Sequence, residues 1–543
     1  MTRRGDRWLL WGLTLWGVAA RLGLAALPRV IRWDEPDYLW LGRSLFSGLG
    51  YTIGPYPDLH YTPLLPLLAG PWMRLLPSAE WAAAIPYILC GSLLVWPIYG
   101  LARGLYGQTT ARLAALFVAL LPALTISPLY WGTLTEPPYL LLLFSGLYAA
   151  RRALDEGRLG LPMAAGAALA LAYLARPEGA LTLGLVLLWL VGAAAAQRFR
   201  RGQVALLVLL TWLLVAGPYL GYLRVHSGRW LLTGKVGVTL ALGEGAVAHD
   251  PAAYDRAIAS LDQTGEEIIW FSPERFEEPG LWETAVSQPG AVLARMRANL
   301  GAWAGAFFNL RMFPSPLLAL VALGLFRRPW SRRETLGHAF LATMLLPPFA
   351  FLPLHMEVRF FAPLLPILLI WAAAGAAGLG AWLQASWTAV WLGLRPAGWG
   401  RRCWPWLPAL VVAAGLVALW PGTLRAGQAS LDFGHKALGL WLSAHTPAGT
   451  VVMARDLAVP LYAERGYAPA PHATLEQTLR YAQAHGATYW ATDAYELTQV
   501  KPHLAGLLEP SRRPAGVDLV YSVESARGLN FVFRLPHNAG GEP

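Results

Sequence analysis

Residues 8–37 read WLLWGLTLWGVAARLGLAALPRVIRWDEPD: a long apolar run followed at once by three carboxylates, Asp34, Glu35 and Asp37. Trp8–Leu27 is long and apolar enough to cross a bilayer, which takes about 20 such residues. The arrangement recurs. Thr135-Glu136, Arg176-Pro177-Glu178 and His355-Met356-Glu357-Val358-Arg359 each lie at one end of a long apolar stretch, with arginine clusters at the opposite ends. A chain that only filled a bilayer would have no reason to gather carboxylates, a histidine and arginines at one interface. The asymmetry points to a membrane-embedded active site opening away from the cytoplasm.

Composition agrees with this class. The 543 residues are 56% hydrophobic with 26 Trp, and the mean hydropathy is +0.42. Soluble chains average nearer 45–50% apolar residues. The formal net charge of +11 has the sign that attracts nucleic acid, but the basic residues are spread between apolar stretches, so no nucleic-acid partner is expected. They are almost all arginine, with lysine only at Lys235, Lys436 and Lys501. The two cysteines, Cys90 in an apolar stretch and Cys403 beside Arg401 and Arg402, suggest neither a disulfide framework nor a Cys metal site. No small-residue cleavage site follows Trp8–Leu27, so it is expected to be a retained first span rather than a signal peptide.

The hydropathy pattern predicts a polytopic α-helical membrane protein of about 11 spans, at 8–27, 81–102, 112–130, 136–150, 160–175, 179–196, 203–222, 313–326, 335–353, 361–382 and 406–421. Trp387–Leu394, within the weak segment 383–404, is too short to cross alone. Alternate loops carry Arg3, Arg4, Arg7; Arg103; Arg151, Arg152, Arg158; Arg198, Arg200, Arg201; Arg327, Arg328, Arg332, Arg333; and Arg395, Arg401, Arg402. The positive-inside rule makes those loops cytoplasmic, in a cell (plasma) membrane with the acidic ends outside. Residues 1–422 then form a membrane domain with two long outer loops, 28–80 and 223–312. The first is rich in Pro, Tyr and Trp and should hold short interfacial helices; the second turns amphipathic near Ala291–Phe308. Residues 423–543 alternate helical runs (Gly434–Ala444, Thr474–His485) with extended ones (Thr450–Met453, Thr488–Ala491). A closing strand pair, Val517–Val523 and Asn530–Arg534, completes a small C-terminal α/β domain, placed outside the membrane.

Each polar cluster has two readings. Asp34, Glu35 and Asp37 could be a solvated acidic N-cap of a helix starting near Pro36, or could supply a general base for a hydroxyl acceptor near the membrane surface. Glu136 could simply complement a helix dipole. Arg176 and Glu178 could pair in an exposed turn, or the arginine could hold a phosphate, which its planar fork suits. Arg359 opens a span on the non-cytoplasmic side, against the positive-inside trend, and so invites a functional role. His60 and His355 could join carboxylates in a metal site, although their spacing matches no local metal motif. No phosphate-binding glycine loop and no sizeable cytoplasmic domain is present, so a lipid-linked donor would suit this chain.

Trp33-Asp34-Glu35-Pro36-Asp37-Tyr38-Leu39 through Gly48-Leu49-Gly50-Tyr51 to His60-Tyr61-Thr62-Pro63-Leu64-Leu65-Pro66 resembles the first outer loop of the GT-C glycosyltransferases. The branch is that of the bacterial protein-mannosyltransferase-like and aminoarabinose-transferase-like families. Leu134-Thr135-Glu136-Pro137, Leu174-Ala175-Arg176-Pro177-Glu178-Gly179 and Arg359-Phe360-Phe361-Ala362-Pro363-Leu364-Leu365-Pro366 are similar to later motifs in the family's order. The resemblance implies inverting transfer from a polyprenyl-phosphate sugar to a lipid, glycan or protein acceptor. It places the catalytic base on Asp34 or Glu35 and the second outer acid on Glu136. Asp37, Arg176, Glu178 and Arg359 are then expected to bind substrate. In the aminoarabinose branch a divalent metal lies between a loop glutamate and a histidine; His355 fits the histidine, but the glutamate's place holds His60. Phe360 replaces the family's usual tyrosine. The main rival function is a transporter or flippase of lipid-linked saccharides, which should place ionisable residues at the bilayer midplane and show repeat symmetry. Neither is visible here.

Overall fold

The computed structural model describes residues 4–156, 158–192, 198–276, 281–326, 329–390 and 406–536. Among these, five helices are long and apolar enough to cross a membrane by length and composition: Arg4–Ala25, Ala79–Tyr106, Gly202–Ser227, Leu364–Ser386 and Leu407–Ala429. Gln108–Leu120, Gly160–Ala175, Gly179–Gly192 and Leu317–Phe326 are shorter apolar helices, and Glu136–Glu156 is a further long one. Residues 391–405, which hold Cys403, Arg395, Arg401, Arg402 and much of the weak segment 383–404, lie outside the described residues, as do Arg3, Arg327 and Arg328.

Two expected spans are interrupted. The stretch over 112–130 is helical only to Leu120; a separate turn, Pro122–Thr125, and a 3-10 turn, Ser127–Tyr130, follow. Pro122 lacks the N–H that would continue the backbone ladder. The stretch over 335–353 divides into a helix, Arg332–Thr343, started by a Ser331–Glu334 capping box, and a 3-10 turn, Pro347–Phe351, begun by paired prolines. Elsewhere glycine sets the helix spacing. Gly324 lies against the Trp371 carbonyl and Gly375 against that of Leu320, so the helices Leu317–Phe326 and Leu364–Val390 touch backbone to backbone.

The segment over 28–80 folds into two helices, Glu35–Phe46 and Leu64–Leu75, joined through a two-residue hairpin, Thr52–Ile53 with Tyr56–Pro57. The segment over 223–312 contains the helices Val236–Ala248, Ala253–Ala259, Leu281–Ser287 and Pro289–Phe307. Beyond Ala429 a five-stranded sheet forms in the order Gly466–Pro469, Val451–Ala454, Ala487–Asp493, Gly528–Arg534, Asp518–Ser525. The first three strands are parallel and the last two join antiparallel. The edge strand Gly466–Pro469 and the helix Ala458–Ala463 are too short to show in a sequence pattern.

The tail is tied to the segments 28–80 and 223–312 by part-buried polar contacts. Glu80 accepts from Lys436 Nζ at 2.5 Å and from the Tyr462 hydroxyl at 2.8 Å. Arg455 makes a two-pronged pair with Asp255 at 2.7 and 2.8 Å. Within the tail, His435 bridges Asp456 Oδ2 at 2.9 Å and Asp493 Oδ2 at 3.0 Å, clasping the ends of two parallel strands to the helix Gly434–His445. Burial alone would lower the His435 pKa, but the two carboxylates hold it up at about 10.

Two expectations follow. Gly375→Leu should push the paired helices apart at a cost of roughly 1–3 kcal/mol and lower the melting temperature in detergent, whereas Gly184→Leu, with open space around it, should not. Because the folded imidazolium is favoured over the unfolded one, whose pKa is near 6.5, the clasp's contribution is complete below about pH 6.5. It should be lost as pH rises towards about 10. Denaturation midpoints of His435→Gln should show a flatter pH dependence over that window.

Candidate active site

Two turns carry the acid motifs, and both are strained. Trp33 and Leu134, each just before a motif, have left-handed backbones with φ of 56° and 57°, a conformation that a branched or bulky residue adopts only when its surroundings enforce it. The turns are joined: the Glu35 N–H donates to the Gly132 carbonyl at 3.0 Å, and the Arg32 guanidinium reaches the Tyr130 carbonyl. The side chains then divide sharply in their roles.

Glu35 is 1% exposed, and Arg29 Nη2 donates to both its oxygens at 2.8 and 2.9 Å. Glu136, equally buried, accepts from Arg176 Nη1 at 2.6 Å and from the Thr133 hydroxyl at 2.8 Å. The Nε of Arg176 donates to Glu178, and its Nη1 also reaches Thr135 Oγ1 at 3.3 Å. Arg176 thus has a carboxylate on each side. Asp34 differs. Its side chain is 34% exposed, it does not cap its own helix, and Arg359 Nη2 approaches it at 3.7 Å.

Arg359 is held from the other side by Glu357, at 2.6 Å through Nε and 3.0 Å through Nη2, while its buried Nη1 has no partner. Burial would raise the Glu357 pKa, but Arg359 and His355 keep it at about 2. The Arg176 and Arg359 guanidiniums lie 5.2 and 5.4 Å from the Phe360 ring. The apolar Phe360 ring therefore lies close to two cations.

His355 and His60 do not come together in a ligand set. His355 Nε2 lies 3.4 Å from Glu357. His60 is buried against Trp270 and Tyr61 at centroid distances of 4.4 and 4.6 Å, and burial pushes its pKa down, with Lys235 and Arg275 adding to the effect. Among the described residues no group of three or more His, Cys, Asp or Glu side chains is arranged to hold a metal ion. Among the described residues the donors needed for the metal of the aminoarabinose branch are not assembled.

Two residues that sequence reasoning passed over belong to this site. Lys235, at the N-terminus of the helix Val236–Ala248, puts its ammonium 4.8 Å from the Tyr61 ring. Burial lowers its pKa, Asp34 opposes that, and Arg176 and Arg359 reinforce it. Its signal was a lone lysine on the acidic side of an arginine-rich chain. Asp456, from the tail, belongs to the charge environment of Asp37. Burial together with Asp34, Asp456 and Asp58 pushes the Asp37 carboxyl well above its usual range. No local pattern could have joined residues so far apart in sequence.

Helices, acid-bearing turns and tail sheet together match a known architecture. The fold is that of the GT-C glycosyltransferases. Residues 60–222 match the dolichyl-phosphate-mannose-protein mannosyltransferase family model; this segment contains His60, Glu136, Arg176 and Glu178, while Asp34 and Arg359 lie outside it. The chain superposes on the Archaeoglobus fulgidus oligosaccharyltransferase in complex with Zn and sulfate with a TM-score of 0.58, at 16% identity over 98% of this chain and 74% of that one. ArnT from Cupriavidus metallidurans in the apo state gives 0.57, at 12% identity over 99% of both chains. The same protein bound to undecaprenyl phosphate gives 0.55, at 14% identity over 100% of both. No curated protein matches in sequence. At these identities the likeness to the GT-C structures is one of fold.

The pairings assign Glu35 a structural weight that is separable from chemistry. Arg29→Ala leaves a buried carboxylate without its cation and should cost about 3–5 kcal/mol. The double variant Arg29→Met/Glu35→Leu should recover much of that loss in chemical denaturation.

Proposed function

We propose that this chain is an integral-membrane glycosyltransferase. It moves a hexosyl or pentosyl group from a polyprenyl-phosphate donor to a hydroxyl of an extracytoplasmic lipid, glycan or protein, with inversion. The observation that carries this reading is the pairing of a solvent-reachable carboxylate, Asp34, with a buried guanidinium, Arg359, 3.7 Å away and with one nitrogen still unpartnered. Inverting transfer needs a base on the acceptor side and a cation for the leaving phosphate, and this site offers one of each. ArnT bound to undecaprenyl phosphate and the archaeal oligosaccharyltransferase with a dolichol-phosphate, which share the fold, support a lipid-linked donor.

Asp34 removes the proton from the acceptor hydroxyl as its oxygen attacks the anomeric carbon. The bond from that carbon to the phosphate oxygen breaks on the opposite face, and the departing polyprenyl phosphate takes the electron pair. Arg359 and Lys235 stabilise the growing phosphate charge. Arg176 is held by Glu136 and Glu178 near Phe360 and sets the electrostatic floor of the site. Asp37 accompanies Asp34 on the acceptor side. Glu35, closed off by Arg29, fixes the turn that presents Asp34. The positive-inside reading, with the arginine-rich loops in the cytoplasm, favours the outer face of the plasma membrane for this chemistry and for the tail sheet.

Loss of a general base costs roughly 10²–10⁴-fold in rate. Asp34→Asn should therefore lower turnover by that much in an assay with labelled polyprenyl-phosphate sugars, while donor binding stays near wild type. Arg359→Lys keeps the charge but loses the fork and should raise the donor KM. Wild-type turnover in Asp34→Asn would remove the base from this position.

A further inference from the structure

Trp33, immediately before Asp34, is built in an unusual way. Its residue surface is 60% exposed although its backbone is left-handed, so the chain accepts strain in order to hold an indole out in solvent. The ring does not float. Gly132, itself at φ 76°, leaves a notch that a Cβ would fill, and the Trp33 side chain rests in it. The Glu35 N–H bond to the Gly132 carbonyl, 3.0 Å long, keeps the two turns in register. From the tail, Arg527, in the turn between the strands Asp518–Ser525 and Gly528–Arg534, places its guanidinium 5.8 Å from the indole centroid.

Resting on the transferase reading above, we propose that Trp33 is the stacking platform for a saccharide acceptor, with Arg527 as a hydrogen-bonding partner to its hydroxyls. A pyranose has a flat face of C–H groups that packs on an aromatic ring, and its rim of hydroxyls needs polar partners. Trp33 supplies the face, while Asp34, the next residue, and Arg527 supply polar groups. The rival role for an exposed tryptophan in such a chain is an interfacial anchor, where the amphipathic ring sits at headgroup level. An anchor needs only to partition, so neither a strained backbone nor a fitted notch would serve it. Both serve a ring whose orientation beside the base matters. The tail thereby becomes part of the acceptor site.

The test is saturation-transfer NMR on the full-length protein in detergent, using neutral di- and trisaccharides and, separately, a threonine-containing peptide as probes. Saccharide protons should receive saturation from the wild type, and about 10-fold weaker binding should follow Trp33→Ala. Gly132→Ala, which displaces the ring, should weaken binding similarly, Trp33→Tyr should retain most of it, and Arg527→Ala should lose several-fold. Donor-lipid binding should stay unchanged in Trp33→Ala, which separates acceptor loss from unfolding. No saccharide bound by the wild type, equal binding by Trp33→Ala, or binding of the peptide alone would each overturn the proposal. The transferase reading is decided separately by the turnover of Asp34→Asn and would survive that failure.

Discussion

A guanidinium set between two buried carboxylates, Arg176 with Glu136 and Glu178, is the constraint on which the site depends. Charges at the end of an apolar helix are tolerable only when each has a partner. Here the partners come from two different helix junctions, so satisfying the charges also fixes the junctions. The second buried pair, Arg29 with Glu35, does the same for the first outer turn. With these pairs closed, two groups differ: Asp34 is still reachable from solvent, and Arg359 keeps an unpartnered nitrogen. The division between structural and reactive charge follows from burial and pairing, not from residue type.

The tail is an integral wall of this arrangement. Glu80 accepts from Lys436 and Tyr462, and Asp255 from Arg455, so the segments 28–80 and 223–312 each contribute a carboxylate that pairs with the tail. These contacts bring Asp456 into the surroundings of Asp37 and Arg527 over Trp33. A hydroxyl acceptor entering beside Asp34 would meet residues from three distant segments of chain. Each segment has its own cap, turn or clasp to hold its side chain still, as preorganised sites require.

Some misreadings along the chain have simple causes. Hydropathy treated 112–130 as one span because Pro122 changes backbone hydrogen bonding without changing apolarity. The edge strand Gly466–Pro469 was missed because four residues carry too little periodicity to register. The longer tail elements were legible: the closing strand pair expected over 517–534 is Asp518–Ser525 with Gly528–Arg534. The helix expected over 474–485 is Leu475–Ala484, begun by a Thr474–Gln477 capping box.

By itself the sequence determined that this chain is a helical membrane protein and where its apolar helices lie. It also determined that its acids lie with Arg176 and Arg359 at one set of helix ends. Those properties are local, written in hydropathy and in the spacing of charge. Only the tertiary structure decided which carboxylate is free. Asp34 and Glu35 are neighbours of the same type of chemistry, and no spacing rule tells them apart. Arg29 folds back onto Glu35, while Asp34 is left facing Arg359, a residue more than three hundred positions away. Lys235 and Asp456 entered the site for the same reason: long-range packing brings charges together that no window of sequence contains.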